Sequence, residues 1–310
     1  MARRWARVLK WAGIVVIVLA LVFVFVIAPF LMAQLVTRAG TRPMDRGIES
    51  TPADYGVAFE DVTFLSADGV NLEGWYLGGG ERGVSVACAH GLFRSRHELL
   101  ERAAWLRQTG FNVLVFDLRR HGKSGGERIS LGYKERLDLE SAAGFLAERS
   151  PGDRLVLLGV SMGAAASLLA AAADSNVSAV VADSSFLSLE HTVAHHLNLF
   201  WGLPKFPLGY ELVFFVEQLA GFEAEELDVE KAVQQIGMRP ILFIASGGDR
   251  RMPVEVQRRL FQAAGSPLSR FVVIEDATHG GGYRTDPEGY KEAVLGFIEE
   301  VILPSDTSGG

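Results

Sequence analysis

Two serines in this sequence lie between glycines in the pattern G-x-S-x-G. Ser161 sits in Gly159-Val160-Ser161-Met162-Gly163, and Ser124 in Gly122-Lys123-Ser124-Gly125-Gly126. That spacing presents a hydroxyl on a tight turn, because the flanking glycines let a strand and a helix approach closely. A hydroxyl so placed can attack an acyl carbonyl, provided a base takes its proton and a carboxylate orients the base. With 34 glycines in 310 residues the pattern also arises by chance, so context must decide. Ser161 follows the apolar run RLVLLGV without a gap and opens the Ala-rich stretch AAASLLAAAAD. Ser124 stands seven residues past Asp117 and precedes the polar stretch GERIS, so it reads as a loop residue.

The base and acid should lie at the carboxyl ends of later strands, in the chain order Ser, Asp, His. Asp249 follows PILFIA in the turn SGGD, and His279 follows RFVVIED in ATHGGG. Asp183, which ends SAVVAD, competes for the acid role, and Asp276 is close to the base in sequence. His90-Gly91-Leu92 ends another apolar run, VSVACA. There the amide of Leu92 can join that of Met162 to hold the oxyanion of a tetrahedral intermediate, with His90 itself structural. His121 reads as a loop-fixing residue.

Other patterns carry less. His191 and His195 could meet on one helix face as metal ligands, with His196 beside them. The zinc-protease pattern H-E-x-x-H, however, needs Glu where this chain has Thr192. Gly78-Gly79-Gly80-Glu81-Arg82-Gly83 satisfies G-x-G-x-x-G, yet it precedes a strand and offers no helix terminus to a pyrophosphate; it reads as a hairpin turn. Cys88 lies in an apolar run without a basic neighbour and reads as core. No cofactor and no metal is expected.

These residues need elements to hold them. VAFEDVTFL and VNLEGWYL alternate and should form a hairpin across Ser66 to Gly69. VSVACAH, FNVLVFD, RLVLLGV, SAVVAD, PILFIA and RFVVIED are continuous apolar runs, the signature of buried parallel strands. Helix-period stretches separate them, so the expected fold is a doubly wound α/β sheet over 58–303. The alternation breaks at about 187–232, a stretch interrupted by Pro204 and Pro207, which predicts a helical cap. Its aromatic residues Phe200, Trp201, Phe206, Tyr210, Phe214 and Phe215 could pack the cap on the sheet, wall an acyl pocket or dip toward a bilayer.

Upstream, residues 11–33 carry no charge and reach roughly 34 Å as a helix, enough to cross a hydrocarbon core of about 30 Å. The run exceeds the apolar stretch of a cleavable signal peptide, so one uncleaved transmembrane helix is expected. Residues 1–10 supply Arg3, Arg4, Arg7 and Lys10; the downstream flank supplies Arg38, Arg42 and Arg46. This small bias predicts a cytoplasmic amino terminus and a catalytic domain on the outer, periplasmic or extracellular side. Residues 34–57 read as a linker and 304–310 as a disordered tail.

The whole chain has 30 Lys and Arg against 37 Asp and Glu, a net charge of −7. Removing the four basic residues of 1–10 leaves 26 − 37 = −11 downstream, which argues against a nucleic-acid partner. One cysteine excludes an intrachain disulfide and a thiolate metal cage.

Over about 58–303 these motifs resemble the α/β-hydrolase superfamily, in particular its bacterial membrane-anchored serine hydrolases. The resemblance rests on His90-Gly91, on the run from Asp117 to Ser124, and on the turns at Ser161, Asp249 and His279. It implies a triad of Ser161, Asp249 and His279 and oxyanion donors at Leu92 and Met162. Arg120 departs from the pattern, since many members carry Gly there. The implied activity is cleavage of a carboxylic ester or thioester of a small or lipid-like acyl substrate. A peptidase, an acyltransferase and a non-catalytic tethered binding protein are the alternatives.

Overall fold

The computed structural model describes residues 1–302, so the expected tail at 304–310 lies outside the described residues. The chain opens as one apolar rod made of α1 (Ala2–Val22), a π-helical turn (Phe23–Ile27) and α2 (Ala28–Thr37). At about 1.5 Å per residue, the 35 residues from Arg3 to Thr37 reach roughly 52 Å. This helix is long and apolar enough to cross a membrane and is a candidate transmembrane span.

The expected linker at 34–57 is not a loose spacer. The helix continues through Thr37, and the chain then wraps the domain through short 3-10 turns at Pro43–Asp45 and Pro52–Tyr55. Side-chain chemistry explains the correction. Ala33 and Thr37 are small, lie one turn apart on the same helix face and are fully buried. The Thr37 carbonyl accepts from the Ile129 amide at 2.8 Å, and its hydroxyl accepts from Arg128 at 2.9 Å.

Eight strands form one sheet in the order β1-β2-β4-β3-β5-β6-β7-β8. They are β1 (Glu60–Leu65), β2 (Asn71–Leu77), β3 (Val84–Ala89), β4 (Asn112–Phe116), β5 (Arg154–Val160), β6 (Val177–Asp183), β7 (Ile241–Ser246) and β8 (Arg270–Ile274). β1 and β2 form the expected hairpin, closed by Ser66 N–H to the Val70 carbonyl at 2.8 Å. β2 then pairs antiparallel with β4, and the remaining neighbours are parallel. The glycine-rich stretch from Gly78 to Gly83 is therefore no hairpin turn. It carries the chain past β4, because β2 and β3 are not neighbours.

Alternate residues of the central strands face opposite layers, as the two-residue period requires. In β4, Leu114 and Phe116 join one core while Val113 and Val115 join the other. The second core includes residues of α3 (Leu100–Gln108), which lies across the sheet from α4 (Glu135–Arg149) and α5 (Met162–Ala173). Two helices, α6 (Leu189–Trp201) and α7 (Leu208–Ala220), make the cap. α8 (Val229–Ile236) falls partly inside the expected cap boundary of 187–232, yet it packs on α5 and on α9 (Val254–Ala263) as part of the layer. Its buried residues Val229, Ala232, Val233 and Ile236 form one helix stripe, which decides the matter. The short α10 (Gly282–Thr285) and the long α11 (Pro287–Ile302) close the chain, α11 sharing the core of α3.

Candidate active site

Ser161 occupies the single residue between β5 and α5, at φ 54° and ψ −113°. A non-glycine residue at positive φ is strained by roughly 1–3 kcal/mol and persists only where its flanks dictate it. Here they do. A Cβ on Gly159 would overlap the Gly163 carbonyl, and one on Gly163 would overlap that of Ala89. Only two glycines let strand and helix meet this closely. The Ser161 amide donates to the Asp183 carbonyl at 2.8 Å, which fixes the turn to β6.

Three side chains from three loops form a hydrogen-bonded row. His279 Nε2 lies 2.8 Å from Ser161 Oγ, and His279 Nδ1 lies 2.6 Å from Asp249 Oδ2. The Asp249 carboxylate is buried and its other oxygen accepts the amides of Arg251 at 2.8 Å and Met252 at 3.0 Å. An acceptor held this way keeps the proton on Nδ1, accepts its hydrogen bond and leaves Nε2 as acceptor toward the serine hydroxyl. The acid and base loops are stitched together by Gly248 N–H to the Ala277 carbonyl at 2.8 Å. Gly280, at φ 62°, turns the base loop, and its amide donates to Ser184 Oγ at 3.3 Å.

Asp183 also sits at a strand end, but its carboxyl does not meet His279. It is fully buried, accepts from Ser184 Oγ at 2.9 Å and lies 3.9 Å from Arg102. Burial pushes its pKa above the usual carboxylate range. Asp276 occupies a turn at φ 57°. A Cβ at Gly91 would stand 3.4 Å from Ser161 Cβ, so the loop after β3 lies directly against the serine. Among the described residues neither the Leu92 nor the Met162 amide donates to a backbone carbonyl of another loop, turn or cap.

What holds that loop was not legible in the sequence. Glu98 accepts the Gly91 amide at 2.7 Å, and burial pushes its carboxyl pKa upward. From the segment expected to be a linker, Thr41 Oγ1 donates to the Arg94 carbonyl at 2.8 Å and the Arg42 amide to that of Phe93 at 3.0 Å. Arg120 has φ 63°, the left-handed region that favours glycine, and its Nε donates to the Arg38 carbonyl at 2.9 Å.

The remaining candidates have structural partners. His90 is buried between the Gly91 carbonyl at 2.8 Å and the Leu118 amide at 3.1 Å, and burial lowers its pKa to about 3. His121 Nδ1 lies 3.0 Å from the Arg119 carbonyl. Ser124 Oγ donates to the Asp117 carbonyl at 2.6 Å and accepts the Glu73 amide at 2.9 Å. Burial lifts the Cys88 thiol to about 12. His191 and His195 stack with ring centroids 6.3 Å apart, and His195 Nε2 lies 2.8 Å from the Arg250 carbonyl. The His196 ring packs against His195 and Phe200, and burial first, then His195, Arg251 and His279, lower its pKa to about 4.

The model of a family described as "Serine aminopeptidase, S33" matches residues 81–207. The Bacillus subtilis (strain 168) protein YqkD, itself uncharacterized, is 28% identical over 239 residues, covering 76% of this chain and 78% of its own. YfhR of Escherichia coli K12, also uncharacterized, is 28% identical over 258 residues, with 80% and 83% covered. Among solved structures, the Pyrococcus furiosus esterase Pf2001 superposes with a TM-score of 0.69 at 28% identity, covering 84% of this chain and 97% of that one. With its parallel sheet, its serine turn between β5 and α5 and these likenesses, the chain has the α/β-hydrolase fold and is similar to hydrolases of that superfamily.

Proposed function

We propose that this protein is a membrane-anchored serine hydrolase that cleaves carboxylic esters or thioesters, lipid-like ones included, through an acyl-enzyme on Ser161. The observation that carries the reading is the unbroken row Ser161–His279–Asp249, with contacts of 2.8 Å and 2.6 Å. Ser161 Oγ attacks the carbonyl carbon as His279 Nε2 takes its proton, and the Asp249 carboxylate stabilises the imidazolium. The carbonyl oxygen becomes the oxyanion, held by the Leu92 and Met162 amides. His279 then returns the proton to the leaving alcohol or thiol, and water attacks the acyl-enzyme by the same route in reverse. The likeness to a solved esterase at 28% identity supports ester chemistry. The apolar helix from Arg3 to Thr37 supports anchoring, and the four basic residues before it support a cytoplasmic amino terminus and an outward-facing catalytic domain.

The test is labelling of the detergent-solubilised chain by a fluorophosphonate probe together with hydrolysis of p-nitrophenyl butyrate. Ser161→Ala is expected to lose labelling and to fall in kcat by about 10⁴- to 10⁶-fold. A variant that still labels and still turns over overturns the assignment. The family description favours a second reading, peptide cleavage by the same residues. Preference for an aminoacyl p-nitroanilide over the ester selects it.

A further inference from the structure

The cap touches the rod where the rod should leave the lipid. α7 packs along α2 and reaches the π-helical turn Phe23–Ile27, and Phe215 meets Phe30 edge-to-face at 5.5 Å. Both Phe30 and the turn belong to the charge-free run between Lys10 and Arg38. A hydrocarbon core of about 30 Å takes about 20 helical residues. Counted from Lys10, that places its far boundary near residue 30. Sliding the span toward the amino terminus would drag Lys10 and Arg7 into hydrocarbon, which their charge opposes. The cap therefore meets the bilayer surface.

The side chains it presents there fit that surface. Phe200, Trp201, Phe206, Tyr210 and Phe214 are each more than half exposed, with Phe206 at 73%. The first four lie at the corner joining α6 to α7, with Phe200 and Trp201 rings 5.8 Å apart and Phe206 and Tyr210 rings 6.3 Å apart, and Phe214 follows Tyr210 one turn along α7. Between Leu197 and Tyr210 the one charged residue is Lys205, which pairs with Glu190 at 2.6 Å and lies 4.8 Å from the Tyr210 ring. Aromatic rings around a single cation are what the headgroup layer accommodates. Exposed apolar clusters of this kind are uncommon on a face that meets only water. The edge also leads inward: the Phe200 ring is 5.4 Å from His196, whose ring is within electrostatic reach of His279.

We propose that the α6–α7 corner, residues 200 to 214, docks into the headgroup layer of the bilayer that receives α1, so the chain grips the membrane at two places. The proposal rests on the membrane-anchored reading above. Its consequence is that the cap edge leading toward Ser161 faces lipid, and an acyl substrate reaches it from the membrane.

Depth measurement tests this on the full chain in nanodiscs of phosphatidylcholine and phosphatidylglycerol. Single cysteines are introduced as Trp201→Cys, Phe206→Cys and Phe214→Cys, with Ile17→Cys in the span and Met238→Cys as the aqueous control. Each carries a nitroxide, while the buried Cys88 stays unlabelled. Met238 is 71% exposed and precedes β7, at the end of the sheet away from the cap. Oxygen collisions should exceed nickel-chelate collisions several-fold at 201, 206 and 214, and the order should reverse at 238. Lipid-like values at 17 with water-like values at the three corner positions overturn the docking and leave the anchor standing. Water-like values at 17 overturn the anchor as well. Shielding of the corner from both reagents overturns the docking in favour of a second copy of the chain.

Discussion

Asp183 ends β6 and Asp249 follows β7, and His279 Nδ1–H can donate its hydrogen bond to only one of them. Asp249 receives it because two loop amides fix its other oxygen and its carboxylate already faces the ring. Asp183 instead lies beside Arg102 in the interior. Asp249→Asn should therefore lower ester turnover by about 10⁴-fold with little change in melting temperature, because it leaves the wrong imidazole tautomer facing the serine. Asp183→Asn should instead cost stability on the order of 1–3 kcal/mol, because it leaves a buried arginine without its carboxylate. Ester kinetics and thermal unfolding on the two variants separate these roles. His90 makes a further prediction. Its folded pKa, about 3, lies below the ordinary 6.5, so folding favours the neutral ring. The stability it contributes is fully present above pH 6.5 and is lost as the pH falls toward 3. Between pH 6.5 and 5.5 the melting temperature should decline in the native chain and less steeply in His90→Gln.

At the scale of elements, the proposed oxyanion loop, which follows β3, depends on the segment that joins rod to domain. Thr41 ties two loops together, donating to the Arg94 carbonyl after β3 and accepting the Gly122 amide after β4 at 2.7 Å. Thr41→Ala should slow ester cleavage by about 5- to 10-fold, equivalent to roughly 1 kcal/mol of hydrogen bonding, and Thr41→Ser should restore it. A chain beginning at residue 47 should be slower than one beginning at residue 34 by on the order of 10- to 100-fold, the scale of a misplaced oxyanion donor. Equal rates from the two truncations would show that the loop stands alone. Nothing in the composition of residues 38–46 announced this. A short polar segment has hydrogen-bond donors and acceptors to spare, and its partners are up to 82 positions away in the sequence. α8 shows the same limit: whether its apolar stripe covered the cap or the sheet depended on where α5 and α9 lay.

For the whole molecule, the rod and the domain form one continuous body, since α2 is both the end of the candidate span and a packing partner of the cap. A chain fused at its carboxyl end to alkaline phosphatase should give phosphatase activity in a bacterial host, and the same fusion to green fluorescent protein should stay dark. The fused chain should also remain with membranes after carbonate washing. Fluorescence with an inactive phosphatase would reverse the proposed orientation. The sequence by itself determined the parallel sheet, because buried strands must be continuously apolar, and it determined the serine turn, because only Gly-x-Ser-x-Gly permits that closeness of strand and helix. It left open which aspartate meets His279, what pins the oxyanion loop and which face of the cap stays bare. Those were decided by the tertiary structure alone, because each depends on contacts between residues far apart in the chain, and local periodicity carries no record of such contacts.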